Sequence, residues 1–262
     1  MPDDGDLSDR GDIMTDTAIP RAWIQGDPCQ VPAAGVHELF LARAQRSPDA
    51  LAVRQWDTRL TYRQLAARAA ALATRLRAAG AEPGARVGVC MRRTPLLPAS
   101  ELAVAMAGGT FVPLDPDHPP KRLQSMIEDA EVKIALVDAD GARLLEGVVT
   151  SVAASDPADG ADADPDAVFR PVPAAAGDCA YVMFTSGSTG RPKGVMISHG
   201  SLTAFVSAIN QHLGESPGHR LAAFAAIGFD VSIYEFFAPL VSGGSIHLVS
   251  EAERSDPGRL QQ

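Results

Sequence analysis

The sequence predicts an α/β protein in which helices layer against a largely parallel sheet, and three observations carry that prediction. Short β-rich runs alternate with helical stretches from residue 36 to residue 138. The same alternation resumes near residue 179, after an Asp/Ala/Pro stretch at 153–176 that reads as a surface loop. An apolar content of 46% over 262 residues is enough to bury a substantial core.

Residues 1–35 hold Asp, Pro and Gly with little periodicity and read as a disordered tail or linker, with the folded part at 36–262. From Val36, "VHELFLARAQRSPDA" predicts a short amphipathic helix ended before Pro48, and "ALAVRQ" a strand. The next helix is the most clearly marked. Thr61 and Gln64 form a T-x-x-Q capping box, and Tyr62, Leu65, Ala69, Leu72 and Leu76 recur at spacings of three and four. Gly80 supplies the stop. "ARVGVCM" follows as a buried strand, "PLLPASELAVAMAGG" as a helix and "TFVPLD" as a strand. "PPKRLQSMIEDA" is a helix opened by prolines, and "VKIALVD" a strand. After the acidic loop come the strand "CAYVMF", a glycine-rich bend, the strand "GVMIS" and a helix near 199–213. The strand "RLAAFAA", a helix near 231–241 and the strand "SIHLV" complete the run, and "SDPGRLQQ" looks like the start of another helix.

The formal charge of −9 sits mostly in two runs, residues 1–16 and 156–166, so the rest is nearly neutral. Without a Lys/Arg cluster a nucleic-acid partner is disfavoured, and the acidic runs read as solvated segments. Cys29, Cys90 and Cys179 have neither metal-ligand nor disulfide-framework spacing, which fits a reducing cytoplasm. The N-terminus lacks a basic region followed by an apolar one, and "LAVAMAGGTFVPL" is too short to span a bilayer, so a soluble cytoplasmic protein without a membrane partner is expected.

The bend "FTSGSTGRPKG", residues 184–194, concentrates four hydroxyls, three glycines, Arg191 and Lys193. Hydroxyls, backbone amides freed by glycine and one ammonium group are what a polyphosphate needs. The Walker spacing is excluded, because Lys193 follows Pro192 and precedes Gly194. The dinucleotide fingerprint G-x-G-x-x-G is absent, and no G-x-S-x-G hydrolase elbow surrounds any serine. A ligand-free Ser/Gly hairpin remains the plainer reading of composition alone.

The ordered pattern T-S-G-S-T-G-x-P-K-G resembles the phosphate-binding signature of the adenylate-forming, AMP-dependent synthetases. "LTYRQLAARAAALATRL", "AMAGGTFVPLDPDHPPKRLQSMIEDA" and "IGFDVSIYEFFAPLVSGG" are similar, in the same order, to motifs of adenylation domains of nonribosomal peptide synthetases. "RAWIQGDP" resembles the linker that precedes such domains, so the likeness runs from about residue 20 to the end. The resemblance implies layered α/β/α sheets, the N-terminal portion of the large subdomain. It also implies activation of an amino-acid carboxylate as aminoacyl-AMP, using ATP with Mg2+, followed by transfer to phosphopantetheine on a carrier protein. It places the pyrophosphate-stabilising groups at Thr185, Ser186, Gly187, Ser188, Thr189, Gly190 and Lys193, with Arg191 solvated. A condensation domain or an MbtH-like protein are further partners of that family.

In that family an aspartate at the position of Asp230 pairs with the substrate α-ammonium group; the residue pattern alone makes Asp230 a helix N-cap. Val231 and Tyr234 match pocket-lining positions, and Phe229 matches an aromatic position near the adenylate that core packing explains equally well. His199 is expected to be structural, and His37, His118, His212, His219 and His247 have no ligand spacing. The resemblance puts the adenine-binding segment, the ribose aspartate and the lid with the catalytic lysine further along a complete domain. No catalytic residue or metal ligand is therefore assigned in this chain, which alone is expected to be inactive and to leave an open sheet edge prone to aggregation. The alternatives are a non-catalytic nucleotide- or synthetase-binding protein, or part of an acyl- or aryl-CoA ligase, the latter disfavoured by Asp230.

Overall fold

Alternating side chains along the strands sort the fold into layers. The computed structural model describes residues 29–155, 169–185, 191–214, 218–250 and 253–254. Within the unit that begins at Val31, the elements in chain order are α1 (Val36–Arg46), β1 (Leu51–Gln55), β2 (Thr58–Thr61), α2 (Tyr62–Ala78), β3 (Arg86–Cys90) and α3 (Leu96–Met106). Then come β4 (Thr110–Pro113), α4 (Pro120–Asp129), β5 (Ile134–Val137), α5 (Ala139–Leu144) and β6 (Thr150–Ala153). The second run is β7 (Cys179–Thr185), β8 (Lys193–Ser198), α6 (His199–Leu213), β9 (Arg220–Ala223), α7 (Asp230–Ser242) and β10 (Ser245–Leu248).

The strands form two sheets rather than one. The first has the order β2-β1-β10-β9, with β1 parallel to β10 and β10 parallel to β9. It therefore joins the two ends of the described chain. The second has the order β6-β5-β3-β4-β7-β8, parallel except for the antiparallel β7–β8 pair. Val87 and Val89 of β3, Phe111 of β4, and Tyr181 and Met183 of β7 pack into the large core with Phe40, Leu65, Leu102, Phe236 and Ile246. Helices α1, α2, α3 and α7 thus fill the space between the sheets. The alternate residues Cys90, Val112, Val182 and Phe184 face the other way, against Leu123, Met126 and Ile127 of α4.

The capping box at α2 forms in both directions. The Gln64 amide donates to Thr61 Oγ1 at 3.3 Å and the Thr61 amide to Gln64 Oε1 at 2.9 Å. At the same helix end, the buried Tyr62 hydroxyl points at the Gly244 carbonyl, 2.8 Å away, tying α2 to the chain beyond α7.

Three elements escape the sequence pattern. β2 has one buried residue, Leu60, and reaches β1 through a tight turn in which Trp56 takes φ 52°. α5 is six residues long, too short for a helical period to register. It is held by Asp138, whose Oδ1 accepts from the Gly141 amide at 2.8 Å and whose Oδ2 accepts from the Arg92 amide at 2.6 Å. β6 pairs in parallel with β5 and sits at the edge of the second sheet, burying only Val152. The expected surface loop is also tied down at its second end. The Val172 amide donates to the Met106 carbonyl at 2.9 Å, and the Arg77 guanidinium lies 4.4 Å over the Phe169 ring. The possible helix at 255–262 and the tail at 1–28 lie outside the described residues.

Candidate functional site

The glycine-rich bend connects β7 and β8, as a turn between two strands should. Its base is fixed by the ladder register Thr185↔Lys193 and Phe184↔Gly194, and the Thr185 hydroxyl donates to the Lys193 carbonyl at 3.4 Å. Of the seven predicted phosphate-binding residues, Thr185 and Lys193 therefore stand side by side and exposed at the mouth of the bend. Ser186, Gly187, Ser188, Thr189 and Gly190 lie outside the described residues. Because β7 is parallel to β4, the mouth opens at the carboxyl edge of the second sheet, where open α/β folds place their ligands.

Arg191 is not merely solvated. Its Nη2 is 2.5 Å from Asp129 Oδ1 and its Nε 3.2 Å from Oδ2, a two-pronged pair with the end of α4. That pair anchors the descending side of the bend and leaves Lys193 as the cation nearer its mouth.

Asp230 approaches from the other sheet. It is the first residue of α7; the N-cap is Phe229, and no side chain makes a capping bond. The N-cap reading of Asp230 therefore does not hold, and its carboxylate stands exposed at the positive end of the helix. Phe229 is 65% exposed, against the core-packing reading, and Val231 is exposed as well. Tyr234 is half-buried edge-on to Phe205, with ring centroids 6.5 Å apart.

Tyr181 of β7 lies four positions before Thr185. Its ring stacks on Phe111 with centroids 5.4 Å apart. Burial pushes its phenol up to about 12, and the charges of Asp230 and Glu101 add to that rise. Between the sheet edges lies a crevice of about 650 Å³ lined by Gln55, Arg92, Arg93, Asp117, Ile227 and Ser250, among others.

Three residues around this region carry no assignment from sequence. Glu101 of α3 is fully buried, both oxygens lack a partner, and burial raises its carboxyl to about 8. Glu235 of α7 is buried and accepts from the Ala225 amide through Oε1 at 3.2 Å and Oε2 at 3.0 Å. Arg93 donates through Nη2 to the Ala225 carbonyl. Each is a charged residue in an otherwise apolar stretch, "ASELAVAM" or "SIYEFFAPL", or follows a buried strand, and that mismatch is the signal available in the sequence.

The expectation that His199 is structural fits its surroundings. It is buried edge-on to His37 with ring centroids 5.7 Å apart, and its amide donates to the Asp178 carbonyl at 2.8 Å. Burial, with His37 adding to the effect, holds its imidazole down to about 4. Among the described residues no group of three or more His, Cys, Asp or Glu could hold a metal ion, and no helix is long and apolar enough to cross a membrane.

A glycine-rich strand–loop–strand at the carboxyl edge of a parallel sheet, with Thr185 and Lys193 exposed at its base, defines a ligand-binding α/β fold. Residues 40–262 match the AMP-binding enzyme family, and the chain belongs to it. It is 41% identical over 227 residues to the AMB antimetabolite synthetase AmbB of Pseudomonas aeruginosa, covering 86% of this chain and 18% of AmbB. It is 36% identical over 235 residues to bacitracin synthase 1 of Bacillus licheniformis, covering 87% of this chain and 4% of that protein. The chain thus spans a small part of the length of these relatives. Among solved structures, the AMPPNP-bound form of the nonribosomal peptide synthetase FmoA3 superposes with a TM-score of 0.79 at 32% identity, covering 89% of this chain and 25% of that one. The Klebsiella oxytoca NpsA N-terminal subdomain in complex with 3-hydroxyanthranilyl-AMSN gives 0.71 at 25% identity, covering 82% of this chain and 53% of that one.

Proposed function

We propose that this chain supplies the triphosphate-gripping and amino-acid-anchoring face of an adenylation domain in a nonribosomal peptide synthetase. The observation that carries the reading is that Thr185 and Lys193 pair at the carboxyl edge of the second sheet in a chain of the AMP-binding enzyme family. Lys193 and Thr185 would supply a cation and a hydroxyl for phosphate, and the exposed Asp230 a carboxylate for an ammonium group. A form of FmoA3 bound to alpha-methyl-L-serine-AMP, matched at a TM-score of 0.78, supports an amino acid as substrate.

In the proposed reaction a substrate carboxylate oxygen attacks the α-phosphorus of ATP, the bond to the β-phosphate oxygen breaks, and pyrophosphate leaves with that electron pair. Charge builds on the departing phosphates. Lys193, the Thr185 hydroxyl and the residues at 186–190 are the groups proposed to stabilise it. Magnesium, as the companion of the nucleotide, would neutralise part of the same charge. Asp230 would hold the α-ammonium group and so fix the direction of the carboxylate, an orienting effect on which the rate depends steeply. The activated acyl group would then pass to phosphopantetheine on a carrier domain, with condensation or MbtH-like partners belonging to the assembled synthetase.

The test is ATP–pyrophosphate exchange by the full-length protein with a panel of amino acids. Exchange should depend on an α-amino acid, and Asp230→Ala should abolish it while nucleotide binding persists. Exchange indifferent to Asp230→Ala would remove the ammonium-anchoring role. Exchange supported by aryl acids alone would move the substrate to that class, the reading that the likeness to NpsA favours.

A further inference from the structure

The turn that carries Phe229 and Asp230 runs from the end of β9 to the start of α7, and side chains from α7 and from the loop after β3 hold it. Its own backbone bonds are sparse: the Phe229 amide donates to the Ala226 carbonyl and the Ser232 amide to the Phe229 carbonyl, each at 3.0 Å. The Ser232 hydroxyl lies 2.6 Å from that Phe229 oxygen and 3.3 Å from the Ile227 oxygen, and the Ile227 side chain is buried. Between the end of β9 and this turn, Ala225 is held by side chains.

Both polar groups of Ala225 are taken by side chains. Its amide donates to the two oxygens of Glu235, and its carbonyl accepts from Arg93. Arg93 follows β3 of the second sheet, whereas Ala225 follows β9 of the first. Arg93 is itself braced, because its carbonyl accepts from Gln55 Nε2, at the end of β1, at 2.8 Å. Two side chains, one from the loop after β3 and one from α7, therefore converge on one residue five positions before Asp230, and Gln55 of β1 braces the first of them.

We propose that Arg93 and Glu235 are positioning residues that clamp Ala225 and thereby fix the Asp230 carboxylate and the Phe229 ring at the start of α7 relative to the second sheet. The inference rests on the adenylation reading of the site. Neither side chain need touch substrate. Glu235 is inside the protein, and its carboxylate serves a backbone amide, which the fold alone could have paired within a regular turn. What the clamp adds is a tie between the sheet that carries Asp230 and the sheet that carries the phosphate-binding bend. A displacement of about 1 Å between two such groups can cost about a hundredfold in rate.

The experiment uses the full-length enzyme and the variants Glu235→Leu, Glu235→Gln and Arg93→Met. Glu235→Leu and Arg93→Met are expected to raise the amino-acid KM about tenfold, the effect of about 1.4 kcal/mol, and to leave the ATP KM within about twofold. Glu235→Gln keeps one acceptor for the Ala225 amide and should restore most of the loss. Hydrogen exchange should show the amides of residues 225–230 exchanging faster in the Leu and Met variants while those of β7 do not. An amino-acid KM indifferent to all three substitutions, or an ATP KM that rises by the same factor, would overturn the clamp. Should Glu235→Leu fail to fold, the Gln and Arg93→Met variants decide between these outcomes. A wild-type enzyme without amino-acid-dependent exchange would instead remove the adenylation reading, and the clamp's role with it.

Discussion

Removing the carboxyl of Glu101 should stabilise the protein, and by an amount that depends on pH. This side chain lies inside the apolar helix α3 with no accessible surface and no partner for either oxygen. Burial raises its carboxyl from an ordinary 4.5 to about 8. Between those values the folded state keeps a proton that the unfolded chain has released, so stability is fully present below pH 4.5 and is lost as pH rises through 8. At about 1.36 kcal/mol per unit, ionisable Glu101 costs about 2 kcal/mol at pH 6, about 3 at pH 7 and about 4 near pH 8. Those are large fractions of a net stability of about 5–15 kcal/mol. Glu101→Leu nearly conserves volume and Glu101→Gln keeps polarity without titrating. Both should therefore gain on the wild type with rising pH, the Leu variant additionally at acid pH, where an unpaired neutral carboxyl still costs. Urea unfolding of the three proteins at pH 5, 6, 7 and 8 measures the difference. Parallel pH dependence in wild type and Glu101→Gln would refute the reasoning.

Three further outcomes follow from packing. Tyr62→Phe should cost about 1–2 kcal/mol in urea unfolding, because the Gly244 carbonyl loses the hydroxyl 2.8 Å away. Gly141→Ala should destabilise severely, seen as a lower melting temperature, since a Cβ there would stand 2.0 Å from the Cys90 carbonyl oxygen and no rotamer can relieve that. His199 is held neutral, its imidazole lowered to about 4 from an ordinary 6.5, so its contribution is complete above pH 6.5 and lost as pH falls toward 4. Urea midpoints should accordingly fall less steeply between pH 6.5 and 5 in His199→Gln than in the wild type.

Helices and strands with a strong internal pattern were legible in the sequence. α2 could be read from its capping box and its stripe of Tyr62, Leu65, Ala69, Leu72 and Leu76, all buried. The β7–bend–β8 unit could be read because both flanks are β-rich. The division into two sheets could not, because β1 pairs with β10 across nearly the whole described chain and no local period encodes a partner so distant. β2, α5 and β6 were missed for a different reason: each buries too few side chains to leave a periodic trace. At the site, residue types identified Lys193 and Asp230 as the groups to watch. They could not reveal that Asp230 is no cap, that Arg191 is paired with Asp129, or that Glu235 and Arg93 meet on Ala225. Those facts depend on which elements the topology brings to one edge.

The central claim is that the β7–β8 bend grips the triphosphate tail of a nucleotide, with Lys193 as its cation. Equilibrium titration of the full-length protein with AMPPNP and with AMP, in wild type and Lys193→Met, tests it most directly. A lost charge-assisted contact of about 1.5–3 kcal/mol should weaken AMPPNP binding by at least about tenfold and leave AMP almost unchanged. Equal weakening of both nucleotides, or none of either, would contradict the account.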